Sequence, residues 1–239
     1  MINVLINGYE GKMGKVVLEQ IKSNDNFNCI GGVDINMPIS DIKTLPDVII
    51  DFSAPSATFN ILEYAKAHSI PVVIATTGFS DEDNSKIMDY AKVLPIFKSA
   101  NMSYETNLLI SVVSKLAKEL NNSDIEIVET HHNRKVDAPS GTALMIANGI
   151  NEALDNSMHY EYDRHRKRAP REKTEIGIHS LRGGTEVGKH SVFFFGENES
   201  LEISHTVTSR AVFANGALKA AEFIINQPAG LYTMNDLIK

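Results

Sequence analysis

The segment Glu129-Thr130-His131-His132-Asn133-Arg134-Lys135-Val136-Asp137-Ala138-Pro139-Ser140-Gly141-Thr142 sets two adjacent histidines and a lysine just ahead of a Ser-Gly-Thr turn. Imidazole titrates near neutral pH and suits general-acid work, while an ammonium can donate a proton or stabilise developing negative charge. Upstream, Ile125 to Glu129 has the alternating, β-branched look of a strand; downstream, Ala143 to Ala147 has the pattern of a helix. Ser140 or Gly141 therefore stands near a helix N-terminus, where unpaired backbone N–H groups and the positive end of the dipole favour a carboxylate or phosphate. Thr142 can add its hydroxyl to the same cradle. The expected chemistry is proton handling on an acidic small molecule. Adjacent residues at a strand end point to opposite sides, so at most one of His131 and His132 faces a given ligand. No metal is expected, because the chain has one cysteine and no helical H-E-x-x-H spacing.

A second motif, Gly8-Tyr9-Glu10-Gly11-Lys12-Met13-Gly14, follows the apolar strand Ile2 to Ile6 and opens a helix carrying Val17, Leu18 and Ile21. Strand, glycine turn and helix, with Asp34 ending the next strand, predict a dinucleotide site whose pyrophosphate approaches the backbone and whose ribose meets a carboxylate. Asp34 suits the free 2′-hydroxyl of NADH and repels the 2′-phosphate of NADPH, and Ile35 and Asn36 bring no arginine. Lys12 offers a compensating charge, so NADH is expected to be preferred and NADPH accepted. Further polar turns end the later strands at Phe52-Ser53, Ala75-Thr76-Thr77-Gly78 and Ser99-Ala100-Asn101-Met102. They are expected to wall the nicotinamide half.

The elements that must position these groups alternate at first. Strands at Cys29–Val33, Val48–Ile50, Val72–Ile74 and Leu94–Phe97 are separated by helical stretches such as Ser56–His68 and Asp81–Ala91, which predicts an α/β, Rossmann-like doubly wound parallel sheet. After Asn101 the rhythm changes. A helix from about Tyr104 to Leu120 leads into the strand before His131, and Ile176–His179, Ser191–Phe195 and Leu201–Val207 look like a mixed or antiparallel sheet of a second α+β domain. A last helix, Ala211 to Ile225, is expected to return to the first domain. The basic run Asp163 to Arg171 is expected to be a mobile, solvated loop. A net charge of −7 over 239 residues argues against a nucleic-acid surface. The single Cys29 excludes an internal disulfide and fits a reducing compartment, and no apolar run approaches the ~20 residues of a membrane span. A cytoplasmic protein is expected.

Taken with Asp51-Phe52-Ser53-x-Pro55, Thr76-Thr77-Gly78-Phe79, Ser99-Ala100-Asn101, Arg182-Gly183-Gly184, Gly188-x-His190 and His205-x-x-x-Ser209-Arg210, the Glu129 to Ala143 motif resembles that of the 4-hydroxy-tetrahydrodipicolinate (dihydrodipicolinate) reductases of diaminopimelate and lysine biosynthesis. The resemblance runs almost end to end. It implies reduction of that small cyclic dicarboxylate by NAD(P)H, a dinucleotide-binding domain (residues 1–102 plus 210–239), a substrate and oligomerisation domain (103–209), and a homotetramer. It also implies that His131 and Lys135 are the catalytic pair and that His132, Gly141 and Thr142 bind substrate, beside Ser140. Cofactor contacts would fall on Gly8, Tyr9, Glu10, Gly11, Lys12, Met13, Asp34, Ala75, Thr76, Thr77, Ser99, Ala100, Asn101 and Met102. Arg210 is left between touching substrate, orienting His131 and pairing with a nearby acid.

The chain departs from the family pattern in having Glu105 where a glycine is common, Ala75 at another common glycine, and a short Asp34–Val48 connection. Two rivals share the fold. An acylating aldehyde dehydrogenase needs a nucleophilic cysteine, and Cys29 lies inside a predicted strand. An NADH-binding sensor without turnover would explain Glu105 and the glycine spacing, but not the retention of His131, Lys135, Gly141 and Thr142.

Overall fold

The computed structural model describes residues 1–238. Along the chain the elements run β1 Ile2–Asn7, α1 Lys12–Lys22, β2 Phe27–Val33, β3 Val48–Asp51, α2 Pro55–His68, β4 Val72–Ile74, α3 Asp81–Ala91, β5 Pro95–Lys98 and α4 Tyr104–Glu119. They continue with β6 Asp124–His131, α5 Gly141–Ala153, β7 His159–Glu161, β8 Glu175–Arg182, β9 Gly188–Phe195, β10 Ser200–Val207, α6 Ala211–Ile224, β11 Gly230–Tyr232 and α7 Met234–Leu237. The chain divides into two compact units, Met1–Tyr104 with Arg210 onward, and Glu105–Ser209.

The first unit holds a six-stranded parallel sheet in the order β11-β5-β4-β3-β1-β2. Both faces are covered, which is why β3 and β4 are apolar without alternation. Val4, Ile6, Val48, Ile50, Val73 and Phe97 pack under α1 and α6, and Leu5, Ile49, Val72, Ile74 and Ile96 pack under α2 and α3. The chain reverses direction across the sheet between β1 and β3, so the crevice expected of such a sheet opens at the loops that follow those two strands. Strands β7 and β11, three residues each, are too short to show periodicity in the sequence.

The second unit holds a mixed five-stranded sheet in the order β10-β9-β6-β8-β7, with β6 parallel to β8 and antiparallel to β9. One face is covered by α4 and α5, whose Leu109, Val113, Ala117, Ile146, Ala147 and Ile150 meet Ile125, Ile127, Ile176, Ile178, Val192 and Phe194. The opposite face carries the stacked Phe193 and Phe195.

The basic run is not a free loop. Arg164 pairs with Glu175 at 2.6 Å, Lys167 with Glu161 at 2.5 Å, and Arg171 with Asp124 and Glu126 at 3.0 Å each. Arg171 also donates to the carbonyls of Ile125 and Glu175, tying the segment to the sheet. The local charge pattern showed the cations; their acidic partners lie on other strands.

Candidate active site

The alternation of β6 puts Ile125, Ile127, Glu129 and His131 on the helix-covered face, the first two in the core and the last two at the end that meets the start of α5. Glu129 is wholly buried and accepts from His131 Nδ1 at 2.5 Å. Parallel pairing of β6 with β8 sets His131 opposite Arg182, whose two terminal nitrogens donate to both Glu129 oxygens at 2.9 and 2.8 Å. A bidentate, charge-assisted clamp of this kind fixes a carboxylate in both position and charge. Burial works to raise the Glu129 pKa, but Arg182, the Ser180 hydroxyl and His131 together hold it down at about 2. Burial keeps the His131 imidazole below its ordinary value, against the pull of Glu129.

Ser140 is the N-cap of α5, its hydroxyl accepting from the Ala143 N–H at 3.1 Å. Its backbone N–H donates to Glu129 at 3.2 Å, and its hydroxyl meets His190 Nε2 at 3.0 Å. The His190 ring stands edge-on to that of His131, with centroids 5.2 Å apart. Burial first, and His131 second, push the His190 pKa down to about 4, so this imidazole is neutral at physiological pH. Gly141 opens the helix in clear space, since a Cβ there would meet nothing within 4 Å. An exposed helix position without a side chain, as at Gly141, lets an anion approach the positive end of the helix dipole.

Lys135 sits in the loop between β6 and α5, its amine 2.9 Å from Asp137, whose carboxyl it holds below the usual range. The His132 backbone N–H donates to the Glu186 carbonyl, while His132 Nδ1 is buried with no hydrogen-bond partner among the described residues. His131, His132, Lys135, Ser140, Gly141 and Thr142 thus lie along the β6–α5 connection. Arg210 is exposed at the start of α6, in the first unit. Glu129, Arg182 and His190 had no role assigned from sequence. The period of a strand places Glu129 on the face of His131, a signal available in the segment itself; Arg182 and His190 arrive through strand register.

In the first unit a cavity of about 780 Å³ opens where β1, β2 and β3 end, lined by Gly8, Gly11, Asp34, Ile39, Ser53 and Ala57 among others. Gly8 has φ +81°, and a Cβ there would lie 2.4 Å from the Phe52 carbonyl oxygen; one at Gly14 would lie 2.1 Å from that of Gly8. These two glycines let the turn fold tightly onto β3 and α1. Gly11 is the N-cap of α1 and offers no side chain, leaving the helix start to a ligand. Asp34 accepts from the N–H groups of Glu10 and Ile35 at 2.8 Å each, so its carboxylate is fixed on the cavity wall. An uncapped helix start, a fixed carboxylate and a cavity of this size fit a dinucleotide, with Gly8 to Met13 around the phosphates and Asp34 at the ribose.

The later strand ends are organised by a buried carboxylate. Asp51 accepts from Asn7 at 2.7 Å, Ser53 at 2.5 Å, Thr58 at 2.6 Å and Thr76 at 3.0 Å. The Thr76 hydroxyl also accepts from the Ser53 N–H, so its side chain holds the loops rather than facing outward, while Thr77 and Ala100 are exposed. Ser99 and Asn101 bond to each other, Ala75 is buried, and the Met102 side chain lies in the core of this unit. A Cβ at Gly216 would fall 1.6 Å from the Met102 carbonyl oxygen, so α6 can pass this segment only with glycine there.

Family models agree with this architecture along the chain. The N-terminal domain of dihydrodipicolinate reductase matches residues 2–102, and its C-terminal domain matches residues 106–238. The chain is 51% identical over 248 aligned positions to 4-hydroxy-tetrahydrodipicolinate reductase of Caldanaerobacter subterraneus, covering 100% of this chain and 99% of the relative. It is 44% identical to that of Alkaliphilus metalliredigens, covering 99% of each. Among solved structures, dipicolinate-bound dihydrodipicolinate reductase from Paenisporosarcina sp. TG-14 superposes with a TM-score of 0.81 at 26% identity, over 98% of this chain and 99% of that one. An amine dehydrogenase from Mycobacterium smegmatis, at 12% identity and a TM-score of 0.62, shares the fold. With both domain models matched in order and relatives of this identity along its whole length, the chain belongs to the dihydrodipicolinate reductase family.

Proposed function

We propose that the chain reduces 4-hydroxy-tetrahydrodipicolinate (dihydrodipicolinate) to tetrahydrodipicolinate with NAD(P)H, a step of diaminopimelate and lysine biosynthesis. The observation that carries this reading is that Glu129 touches both an imidazole and the anion-binding helix start, through His131 and Ser140. A regulatory NADH sensor would have no use for an imidazole oriented in this way. A nicotinamide cofactor, when bound, would supply the hydride.

Loss of the 4-hydroxyl as water first leaves a carbon–carbon double bond conjugated with the ring imine; hydride addition to the far carbon of that system moves electron density toward nitrogen, and the adjacent carbon must then be protonated. His131 directs Nδ1 at Glu129, so Nε2 is the atom that carries a transferable proton, and the carboxylate behind the ring stabilises the imidazolium this requires. Lys135 is the second group of the pair, as donor or as countercharge. One substrate carboxylate rests on the Ser140-Gly141-Thr142 start of α5, and the other meets His132 and Lys135. Asp34 on the cavity wall favours the 2′-hydroxyl of NADH over the 2′-phosphate of NADPH.

We place the enzyme in the cytoplasm as a homotetramer. The exposed Phe195 and Leu181 on the uncovered face of the second sheet support self-association, and sedimentation reads it directly.

The test is oxidation of NADH and, in parallel, NADPH, with freshly generated synthase product as substrate. Both are consumed, NADH more efficiently, and His131→Ala or Lys135→Ala lowers kcat by about 10²–10⁴-fold with NADH affinity little changed. Tight NADH binding without oxidation would favour the sensor instead, and a large preference for NADPH would overturn the role given to Asp34.

A further inference from the structure

We infer that Glu129, clamped by Arg182, is the positioning residue for His131, and that its second oxygen joins the imidazole to the start of α5, so that proton donor and carboxylate cradle are held as one piece. What those two parts do rests on the reductase reading; that they are joined does not.

Each Glu129 oxygen has a separate duty. Oε2 takes His131 Nδ1 at 2.5 Å, Oε1 takes the Ser140 N–H at 3.2 Å, and Arg182 reaches both. The carboxylate is wholly buried, so no solvent competes for these positions. Arg182 also donates to the carbonyls of Asp137 and Leu181 at 2.7 Å each, which anchors the loop bearing Lys135 to the same guanidinium. On the far side, the Ser140 hydroxyl takes the Ala143 N–H with one lone pair and shares a hydrogen bond with His190 Nε2, its direction following that ring's tautomer. That neutral ring then closes the circuit edge-on to His131. Gly188 completes the device: a Cβ there would stand 3.1 Å from His131 Nε2, so glycine leaves the outward nitrogen uncrowded. A carboxylate behind the ring selects the tautomer with hydrogen on Nδ1 and turns Nε2 outward, as a histidine's second partner does in other proton-transfer sites.

The experiment is ¹⁵N NMR of the histidine rings in the ligand-free protein, joined to steady-state kinetics. In the native protein the neutral His131 ring carries its hydrogen on Nδ1. In Glu129→Gln the amide carbonyl still accepts from Ser140 while its NH₂ faces Nδ1. The ring therefore switches to the Nε2–H tautomer, its titration midpoint falls by about one pH unit, and kcat drops roughly 100-fold with substrate KM little changed. Arg182→Lys, which keeps a cation in place, serves as a second variant should Glu129→Gln fail to fold. There the Nδ1–H tautomer persists and kcat falls about 10-fold, because a single ammonium cannot hold both oxygens. An unaltered tautomer and titration in Glu129→Gln, or an unaltered kcat in Arg182→Lys, overturns the inference. Because the ring is observed without substrate or cofactor, a failure of the reductase reading would leave these spectra as expected and is told apart from a failure here.

Discussion

Two carboxylates, one in each unit, are equally hidden and oppositely treated. Asp51 at the end of β3 and Glu129 near the end of β6 are both fully buried, and each ties together the loops around a ligand site. Asp51 is met only by neutral donors, from Asn7, Ser53, Thr58 and Thr76; burial outweighs them all and its pKa is raised. Glu129 is just as closed to solvent but lies less deep in the protein, and the Arg182 guanidinium with its other partners holds it at about 2. Hydroxyls and amides orient a carboxylate, but a formal cation is what keeps a buried one ionised. The first unit uses its carboxylate as a structural hub beneath the cofactor loops; the second keeps one as a charge facing an imidazole.

The difference should be largest in stability. Glu129→Leu leaves the Arg182 guanidinium without its anion, and breaking a buried pair from one side costs about 3–5 kcal/mol. Asp51→Asn leaves no orphaned charge, and the displaced hydroxyls have somewhere to turn, since Ser53 and Thr58 each already reach the Ala54 carbonyl. That change should cost only about 1 kcal/mol. Urea unfolding of the two variants at pH 7 measures both, and equal losses would break the comparison.

Acid separates the two in sign. Glu129 has a lowered folded pKa, so its contribution is complete above about 4.5 and is lost as pH falls toward about 2. His190 is also lowered, so the unfolded chain binds the extra proton first, and stability declines as pH falls from 6.5 toward about 4. Asp51 is raised, which makes the folded state the better proton acceptor above pH 3.8 and opposes the other two. His190→Gln should therefore flatten the loss of stability between pH 6.5 and 4, whereas Asp51→Asn should steepen the acid limb below the pH at which wild-type Asp51 ionises. Thermal unfolding across that range reads both slopes, and a flatter limb in Asp51→Asn would reverse the sign given to Asp51.

Much of this was open to the sequence. The glycine turn, the strand-helix alternation and the β6–α5 segment are written in contiguous residues, and the unbroken apolar run of β3 announces a strand covered on both sides. What was hidden depends on register. Arg182 meets Glu129 from 53 positions away because β6 pairs in parallel with β8, and no local pattern states that pairing. For the same reason Arg164 and Arg171 have the local pattern of a solvated charge run although their acidic partners lie on the sheet. Thr76 shows the same dependence on distant partners: its hydroxyl is bound to Asp51 and the Ser53 N–H, an engagement that its type and its place at a strand end do not state, because a buried carboxylate takes whatever donors lie within reach.

The smallest test removes one donor from the neutral hub. Thr58 is fully buried on α2 and donates to Asp51 at 2.6 Å, but it is not among the residues that line the cofactor cavity. Thr58→Val keeps the shape and deletes one neutral hydrogen bond, which should cost about 1 kcal/mol. Asp51 keeps Asn7, Ser53 and Thr76, so the loops stay in place, and neither kcat nor the KM for NADH should move. The matching cut beside Glu129 cannot be so quiet, because its partners there carry charge. If Thr58→Val lowered turnover as Arg182→Lys is expected to, Asp51 would be an electrostatic group of the site in its own right, and the two carboxylates would no longer stand as scaffold and charge.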